Sequence, residues 1–230
     1  MKVLVIVPAY NEALNIIKTV NDITDNCKFD YLVINDCSRD NTESVCKENG
    51  FNYISLPINY GLTSVVQFGM KYAKKYNYDV VIQFDGDGQH NAKYLKNIVD
   101  KIEKDNCDIV IGSRFVTEKK PHSLRMLGSN IIQLFIKLTT GKTIKDPTSG
   151  MRGYNKDAIN EFIANSSLAP EPDMLVYMLK NKMKVEEVQV QMRDREFGES
   201  YLKPLKSIEY MFNMVFSILF IRSISRSGRK

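Results

Sequence analysis

The first half of this chain alternates short apolar runs with longer stripes of apolar residues at helical spacing, and that order leaves few folds open. The runs are Val3–Val7, Tyr31–Ile34, Tyr53–Leu56, Val80–Phe84 and Ile109–Ile111. Between them Asn11 opens a helix whose apolar positions are Ala13, Ile16, Ile17, Val20 and Ile23, and Asp40 begins a short helix through Val45. Further stripes run along Leu62, Val65, Val66, Gly69, Tyr72 and Ala73, then along Leu95, Ile98, Val99 and Ile102. Strands without polar alternation are buried on both faces, so the expected class is α/β: a mainly parallel central sheet with helices on both faces. The second half is less regular. It reads as a helix near Leu124–Leu138, a polar loop Asp146–Gly153, helices near 156–164 and 173–181, a strand Val185–Met192 and a C-terminal helix.

Sheets of this kind bind ligands beyond the carboxyl ends of their strands, and the polar clusters of this chain fall there. Pro8-Ala9-Tyr10-Asn11-Glu12 follows the first strand and Asn35-Asp36-Cys37-Ser38 the second. The fourth strand runs into Gln83-Phe84-Asp85-Gly86-Asp87-Gly88-Gln89-His90, with two carboxylates one residue apart. Successive strand side chains point to opposite faces, so a regular strand would not aim both at one ligand. Gly86 and Gly88 let the chain turn and bring both to bear. Oxygen ligands of this kind suit Mg²⁺ or Mn²⁺, which fill their shells with water and phosphate oxygens. The plainer reading is a polar turn after a buried strand, and three such clusters at one edge argue against it. No G-x-G-x-x-G follows the first strand and no G-x-x-x-x-G-K-[ST] occurs, which disfavours dinucleotide oxidoreductases and P-loop enzymes.

Composition narrows the rest. At 230 residues one large domain, or one with a small appendage, is expected. Four cysteines without a C-x-x-C pair and only two histidines argue against a zinc site and a disulfide framework, and the expectation is a reduced, cytoplasmic chain. Met1-Lys2 leads directly into a strand-like run, so no signal peptide is expected. The net charge of +5 lies wholly in residues 180–230, which hold 11 Lys/Arg against 6 Asp/Glu. Within that stretch Tyr210–Ile221 is an apolar run of 12 residues, too short to span a bilayer, which takes about 20. The expected division is therefore 1–203 as catalytic domain and 204–230 as an amphipathic basic helix and tail. That segment would lie on an anionic membrane surface or meet a small membrane subunit. The alternatives are a packing helix with a solvated tail from Arg222 to Lys230, or an oligomer contact. Nucleic acid is not an expected partner.

Taken together these residues resemble the family 2 glycosyltransferases with a GT-A fold, and among them the polyprenyl-phosphate sugar synthases similar to dolichol-phosphate mannose synthase. The resemblance runs from Val3 to about Ser200. Val7-Pro8-Ala9-Tyr10-Asn11-Glu12 is similar to the family's opening motif. Ile34-Asn35-Asp36-Cys37-Ser38 looks like V-D-D-G-S, with Asn35 and Cys37 departing from it. Asn59-Tyr60-Gly61-Leu62 looks like the N-x-G segment, and Asp85–His90 is similar to D-A-D-G-Q-H. Gly112-Ser113-Arg114-Phe115 resembles G-S-R-Y, and Asp146–Arg152 the D-x-x-S-G-F-R loop. Arg195-x-x-Gly198-x-Ser200 resembles R-x-x-G-x-S, with Tyr201 where a lysine is usual.

The resemblance implies an inverting, metal-dependent glycosyltransferase at the cytoplasmic face of the membrane. It would move a sugar from a nucleotide-sugar, a UDP-sugar in preference to a GDP-sugar, to a polyprenyl phosphate such as undecaprenyl phosphate. Pro8, Tyr10, Glu12 and Asp36 would surround the base, with Asp85 and Gly86 beside the donor. Asp87 and Gln89 would hold Mg²⁺ or Mn²⁺. Arg125, and Arg195 or Lys203, would bind phosphate. An acceptor hydroxyl would need a base, for which Glu171, Asp173 and Asp146 are the candidates. A polyprenyl phosphate is already anionic and needs positioning instead. Helix N-terminal acids favoured by the dipole are the competing account of Glu171 and Asp173. The rival functions are transfer to a hydroxyl of a lipid-linked or surface polysaccharide, and a catalytically silent scaffold.

Overall fold

The computed structural model describes residues 1–121, 124–194 and 204–224. Its sheet contains β1 (Val3–Ala9), β2 (Asp30–Asn35), β3 (Tyr53–Ser55), β4 (Val80–Gln83), β5 (Ile109–Ser113), β6 (Arg152–Asn155) and β7 (Val185–Gln189). The helices are α1 (Ile16–Asn26), α2 (Thr42–Glu48), α3 (Gly61–Lys75), α4 (Leu95–Asp105), α5 (Leu124–Thr140), α6 (Lys156–Ala164), α7 (Pro172–Lys180) and α8 (Pro204–Ile224). Across the sheet the order is β3-β2-β1-β4-β6-β5-β7, and β6 alone runs antiparallel, against both β4 and β5.

The expected α/β architecture is present, and β1 shows why. Leu4 and Ile6 point into the layer built by α3, α5, α6, α7 and α8, while Val3, Val5 and Val7 point into the layer of α1, α2 and α4. A strand covered on both faces has no place for a polar side chain, which is why its run is continuous.

Three local expectations change. The first helix begins at Ile16, not Asn11. Asn11 sits in the left-handed region at φ 57°, and the amides of Asn11, Glu12 and Ala13 bond Ser38 Oγ, Thr42 Oγ1 and Asp40 Oδ2. Those side chains supply what a first helical turn leaves open, and they stitch the loop after β1 to the loop after β2. Likewise Asp40 precedes α2 as a turn residue, accepting the Thr42 N–H at 3.0 Å. Finally, the end of the expected polar loop Asp146–Gly153 belongs to β6.

The C-terminal helix forms, and no helix among the described residues is long and apolar enough to cross a membrane. It is apolar on two faces. Met214 and Ile218 are buried in the same core as Leu4 and Ile6, and Met211 lies against Gly128 of α5. Phe212, Phe216, Leu219 and Phe220 are exposed. The packing role and an outward apolar face therefore coexist in one helix, and α8 shares the core of the residues before it. The tail after Ile224 lies outside the described residues.

Candidate active site

Because β6 runs backwards, its first residue, Arg152, stands at the same edge as the last residues of β1, β2, β4 and β5. The acidic turn after β4 lies in the middle. Gly86 N–H bonds the Pro8 carbonyl at 3.2 Å, and a Cβ at Gly86 would stand 2.9 Å from that same oxygen. Only glycine lets the two loops meet so closely. Thr19 Oγ1 donates to the Gly86 carbonyl at 3.1 Å, and Gly88, at φ 74°, turns the chain back. Asp87 Oδ1 accepts the Gln89 N–H at 3.1 Å, which holds the acid over its own turn.

Asp85 is fixed from several sides. Gln83 Nε2 donates to its Oδ1 at 3.1 Å, and His90 Nε2 lies 3.1 Å from its Oδ2. Burial pushes its pKa up, but the His90 and Gln83 hydrogen bonds and the Arg152 charge outweigh this and hold it below the ordinary carboxylate value. Gly150, in the loop before β6, lies directly against this carboxylate, where any side chain would collide with it.

That loop is organised by Arg152, which is 1% exposed. Its Nε donates to the Ser149 carbonyl and its Nη2 to the Pro147 carbonyl, both at 2.8 Å, while Nη1 reaches the Glu171 carbonyl at 3.4 Å. Ser149 Oγ donates to the Gly112 carbonyl at 2.6 Å. Arg152 was legible as part of a motif, but its role as the joint between this loop and the turn before α7 needs the fold.

Asp146 does not fit the expectation of a base. It is fully buried, and Arg114 grips it through Nε at 2.7 Å, Nη2 at 2.8 Å and its own backbone N–H at 3.1 Å. A carboxylate with three N–H donors and no exposure is part of a bidentate ion pair and is not open to a proton from an acceptor. Asp173 and Glu171 stand at the start of α7. Met174 N–H donates to Asp173 Oδ1 at 2.8 Å and Ser217 Oγ to Asp173 Oδ2 at 2.5 Å. The Tyr210 hydroxyl donates to Glu171 Oε2. Burial raises the pKa of Glu171, and the Tyr210 and Arg152 interactions offset this only in part.

On the other side of the turn, Asp36 is 4% exposed and its two oxygens accept the N–H groups of Tyr60 and Gly61, each at 2.8 Å. It thus anchors the chain entering α3. Each oxygen keeps a further acceptor position. Asn35, where the resembled pattern has aspartate, donates to Ser55 Oγ at 3.0 Å and accepts from Ser38. Cys37, where the pattern has glycine, stands at φ 55°. Glu12 Oε2 accepts the Asn15 side-chain amide at 2.7 Å, and Tyr10 is exposed beside it in sequence.

The structure therefore brings Pro8, Asp85, Gly86, Asp87 and Gln89 together at one turn. It gives Asp146 and Asp36 structural bonds, and it ties Glu171 and Asp173 to α8. Arg125 falls in α5 with its side chain outside the described set, and Arg195 and Lys203 lie outside the described residues. Tyr210, Ser217 and Arg114 were not anticipated as partners of these acids; only their sequence-distant contacts reveal them.

Comparison with known proteins places this geometry. The chain is 27% identical to an undecaprenyl-phosphate mannosyltransferase of Micrococcus luteus, with 87% of each chain covered. It is 30% identical to a dolichol-phosphate mannosyltransferase of Pyrococcus furiosus, over 92% of this chain and 62% of that one. Among solved structures, glucosyl-3-phosphoglycerate synthase from Mycobacterium tuberculosis, in complex with Mn²⁺, UDP and glucosyl-3-phosphoglycerate, superposes with a TM-score of 0.67. It does so at 16% identity, covering 96% of this chain and 79% of that one. The GT-A architecture is thus shared well beyond sequence similarity. The family model for glycosyl transferase family 2 matches residues 4–163, which carry β1 to β6 and the acidic turn, and the chain belongs to that family of glycosyltransferases.

Proposed function

We propose that this glycosyltransferase moves a sugar, with inversion, from a nucleotide-sugar to a polyprenyl phosphate at the inner membrane face. One observation carries the choice of acceptor. The helix whose outer face exposes Phe212, Phe216, Leu219 and Phe220 is hydrogen-bonded to the turn bearing Glu171 and Asp173. Leu127, Leu134 and Leu138 of the neighbouring α5 are also exposed. Apolar side chains beside the acceptor end suit a substrate whose tail stays in lipid, and the polyprenyl-phosphate relatives support that reading.

A UDP-sugar is the favoured donor. A relative from Methanococcus voltae is a UDP-N-acetylglucosamine–dolichyl-phosphate transferase, and a solved neighbour binds UDP. Pro8, Tyr10, Glu12 and Asp36 would receive the base, Asp36 through its remaining acceptor positions. No group of three or more His, Cys, Asp or Glu side chains that could hold a metal occurs among the described residues. Asp87 and Gln89, on the turn after β4, offer oxygen ligands that suit a Mg²⁺ or Mn²⁺ ion completing its shell with diphosphate and water oxygens. Bound there, the ion would neutralise charge on the leaving diphosphate. The chain's own part is to orient. Gly86 and Pro8 hold the turn, Asp85 stays ionised beside it, and Arg125, Arg195 or Lys203 would add charge-assisted bonds to phosphate. The raised pKa of Glu171 is the observation that favours the second reading, a hydroxyl acceptor, since a base works best with a pKa near the working pH.

The test is a donor screen with UDP- and GDP-sugars against vesicles carrying undecaprenyl phosphate, with Mg²⁺ and Mn²⁺ in parallel. Sugar label that extracts into organic solvent and is released by mild acid supports the proposal. Label that reaches only a polysaccharide hydroxyl overturns it in favour of the second reading. Absence of any donor turnover would make the chain a silent subunit.

A further inference from the structure

We propose that Tyr210 and Ser217 are positioning residues for the acceptor step, fixing the side chains of Glu171 and Asp173 from the C-terminal helix. The proposal rests on the reading that these two acids line the acceptor side.

The geometry is specific. Tyr210 and Ser217 are seven residues apart, two helical turns, and so share one face of α8. They meet two acids that flank Pro172, the residue that starts α7. The Tyr210 hydroxyl donates to Glu171 Oε2, and Ser217 Oγ donates to Asp173 Oδ2 at 2.5 Å. Between them Met214 is buried, and Ile218, one residue beyond Ser217, is fully buried. Rotation of α8 would break both bonds and lift both apolar side chains out of the core together.

Glu171 occupies the N-cap position of α7, yet its side chain makes no capping bond there. An N-cap side chain ordinarily satisfies the free amides of its own helix. Here the carboxyl group is turned to α8 instead, so its direction is set by Tyr210 and not by its own helix. The effect reaches further. Arg152 bonds the Glu171 carbonyl and the loop whose Gly150 rests on Asp85. The helix with the exposed phenylalanines is therefore linked, through Glu171, Arg152 and the loop bearing Gly150, to the acid beside the donor turn. A helix that merely covered the core would need no bonds to these carboxylates, because apolar packing alone would seat it.

The experiment uses the full chain carrying Tyr210→Phe and Ser217→Ala, which keep the packing volume and remove the two hydroxyls. Acceptor kinetics are measured in phosphatidylcholine–phosphatidylglycerol vesicles containing undecaprenyl phosphate, with the donor identified in the screen above. The expected result is a rise in acceptor KM or a fall in kcat of at least about tenfold, since each of the two lost hydrogen bonds to a charged group is worth about that much. Donor KM and vesicle co-sedimentation stay at wild-type values, while the melting temperature falls by a few degrees because two acids lose a hydrogen-bond donor. Unchanged transfer kinetics overturn the proposal. So does a parallel loss of melting temperature and donor affinity, which would mark the hydroxyls as structural. If the wild type transfers nothing to undecaprenyl phosphate, the acceptor reading fails by itself. Slow donor hydrolysis by water then decides the positioning role: a tenfold loss in the variant supports it, and wild-type hydrolysis overturns it.

Discussion

Replacing Gly150 with alanine should damage donor binding through a single methyl group. Its Cβ would fall on the Asp85 carboxylate, which is itself held by Gln83 and His90 at 3.1 Å. Either the loop retreats, straining the Arg152 bonds to Ser149 and Pro147, or Asp85 leaves its partners. Forcing one methyl into a packed site costs about 1–3 kcal/mol. For a chain of this size each kcal/mol lowers the melting temperature by about 2–4 °C, so a drop of roughly 2–12 °C is expected. Displacing Asp85 by about 1 Å should add a loss in turnover on the order of a hundredfold. Gly153→Ala is the control, because its Cβ would strike Ile98 and Ile102 and not the acid. It should lower the melting temperature while leaving nucleotide affinity near wild type in calorimetry with Mn²⁺. Equal losses of affinity in both variants, or full affinity and turnover in Gly150→Ala, would refute the claim that the glycine exists to seat Asp85.

Asp87→Ala should cut transfer about a thousandfold while the melting temperature holds, since the metal contribution is worth several kcal/mol; residual turnover above a tenth at saturating Mg²⁺ contradicts the assignment. Asp36→Ala should lose both donor affinity and stability, because the N–H groups of Tyr60 and Gly61 lose their acceptor; a collapsed kcat at unchanged KM would exclude a base-binding role. Asp146→Asn should cost about 3 kcal/mol in denaturant unfolding by leaving Arg114 unpaired, with kcat largely kept below the transition; loss of kcat without loss of stability would restore Asp146 as a base. Glu171 has a pKa raised above the ordinary 4.5 by burial, so its contribution to stability is full below that value and is lost as pH rises through the folded pKa. Glu171→Gln should therefore gain on the wild type in thermal melts as pH climbs from 4.5; a pH-independent difference, or one that shrinks, counts against this.

What could be read from the sequence follows from burial and chain distance. β1 and β4 announce themselves because both faces are covered, and Asp85-Gly86-Asp87 follows a strand that had to end there. β6 was invisible: Arg-Gly-Tyr-Asn has no period-two pattern, and its place between β4 and β5 is set by pairing with residues 41 to 75 positions before it. The partners of the acids were illegible for the same reason. Arg114 lies 32 residues from Asp146, and Tyr210 lies 39 from Glu171. Spacing within a motif carries no trace of such pairs. Asn11 misled in the opposite way, since a good helix-opening residue was drawn into the left-handed region by the loop beside it.

The reversed strand also governs the order in which the chain can complete itself. β4 pairs with β1 as soon as residue 83 is made, but its other edge, Val80-Val81-Ile82-Gln83, waits for β6. β5 arrives in between but does not cover that edge, because its partners are β6 and β7. An emerging chain thus carries an apolar strand edge through about 70 residues of synthesis, and unpaired edges of this kind invite other chains to pair. Fragments ending before Asn155 should aggregate more than those that run through β7. The site inherits the same schedule: Asp85 appears early, but Gly150 and Arg152, which set it, follow only after β5 and α5, so nascent chains hold the acids without the geometry.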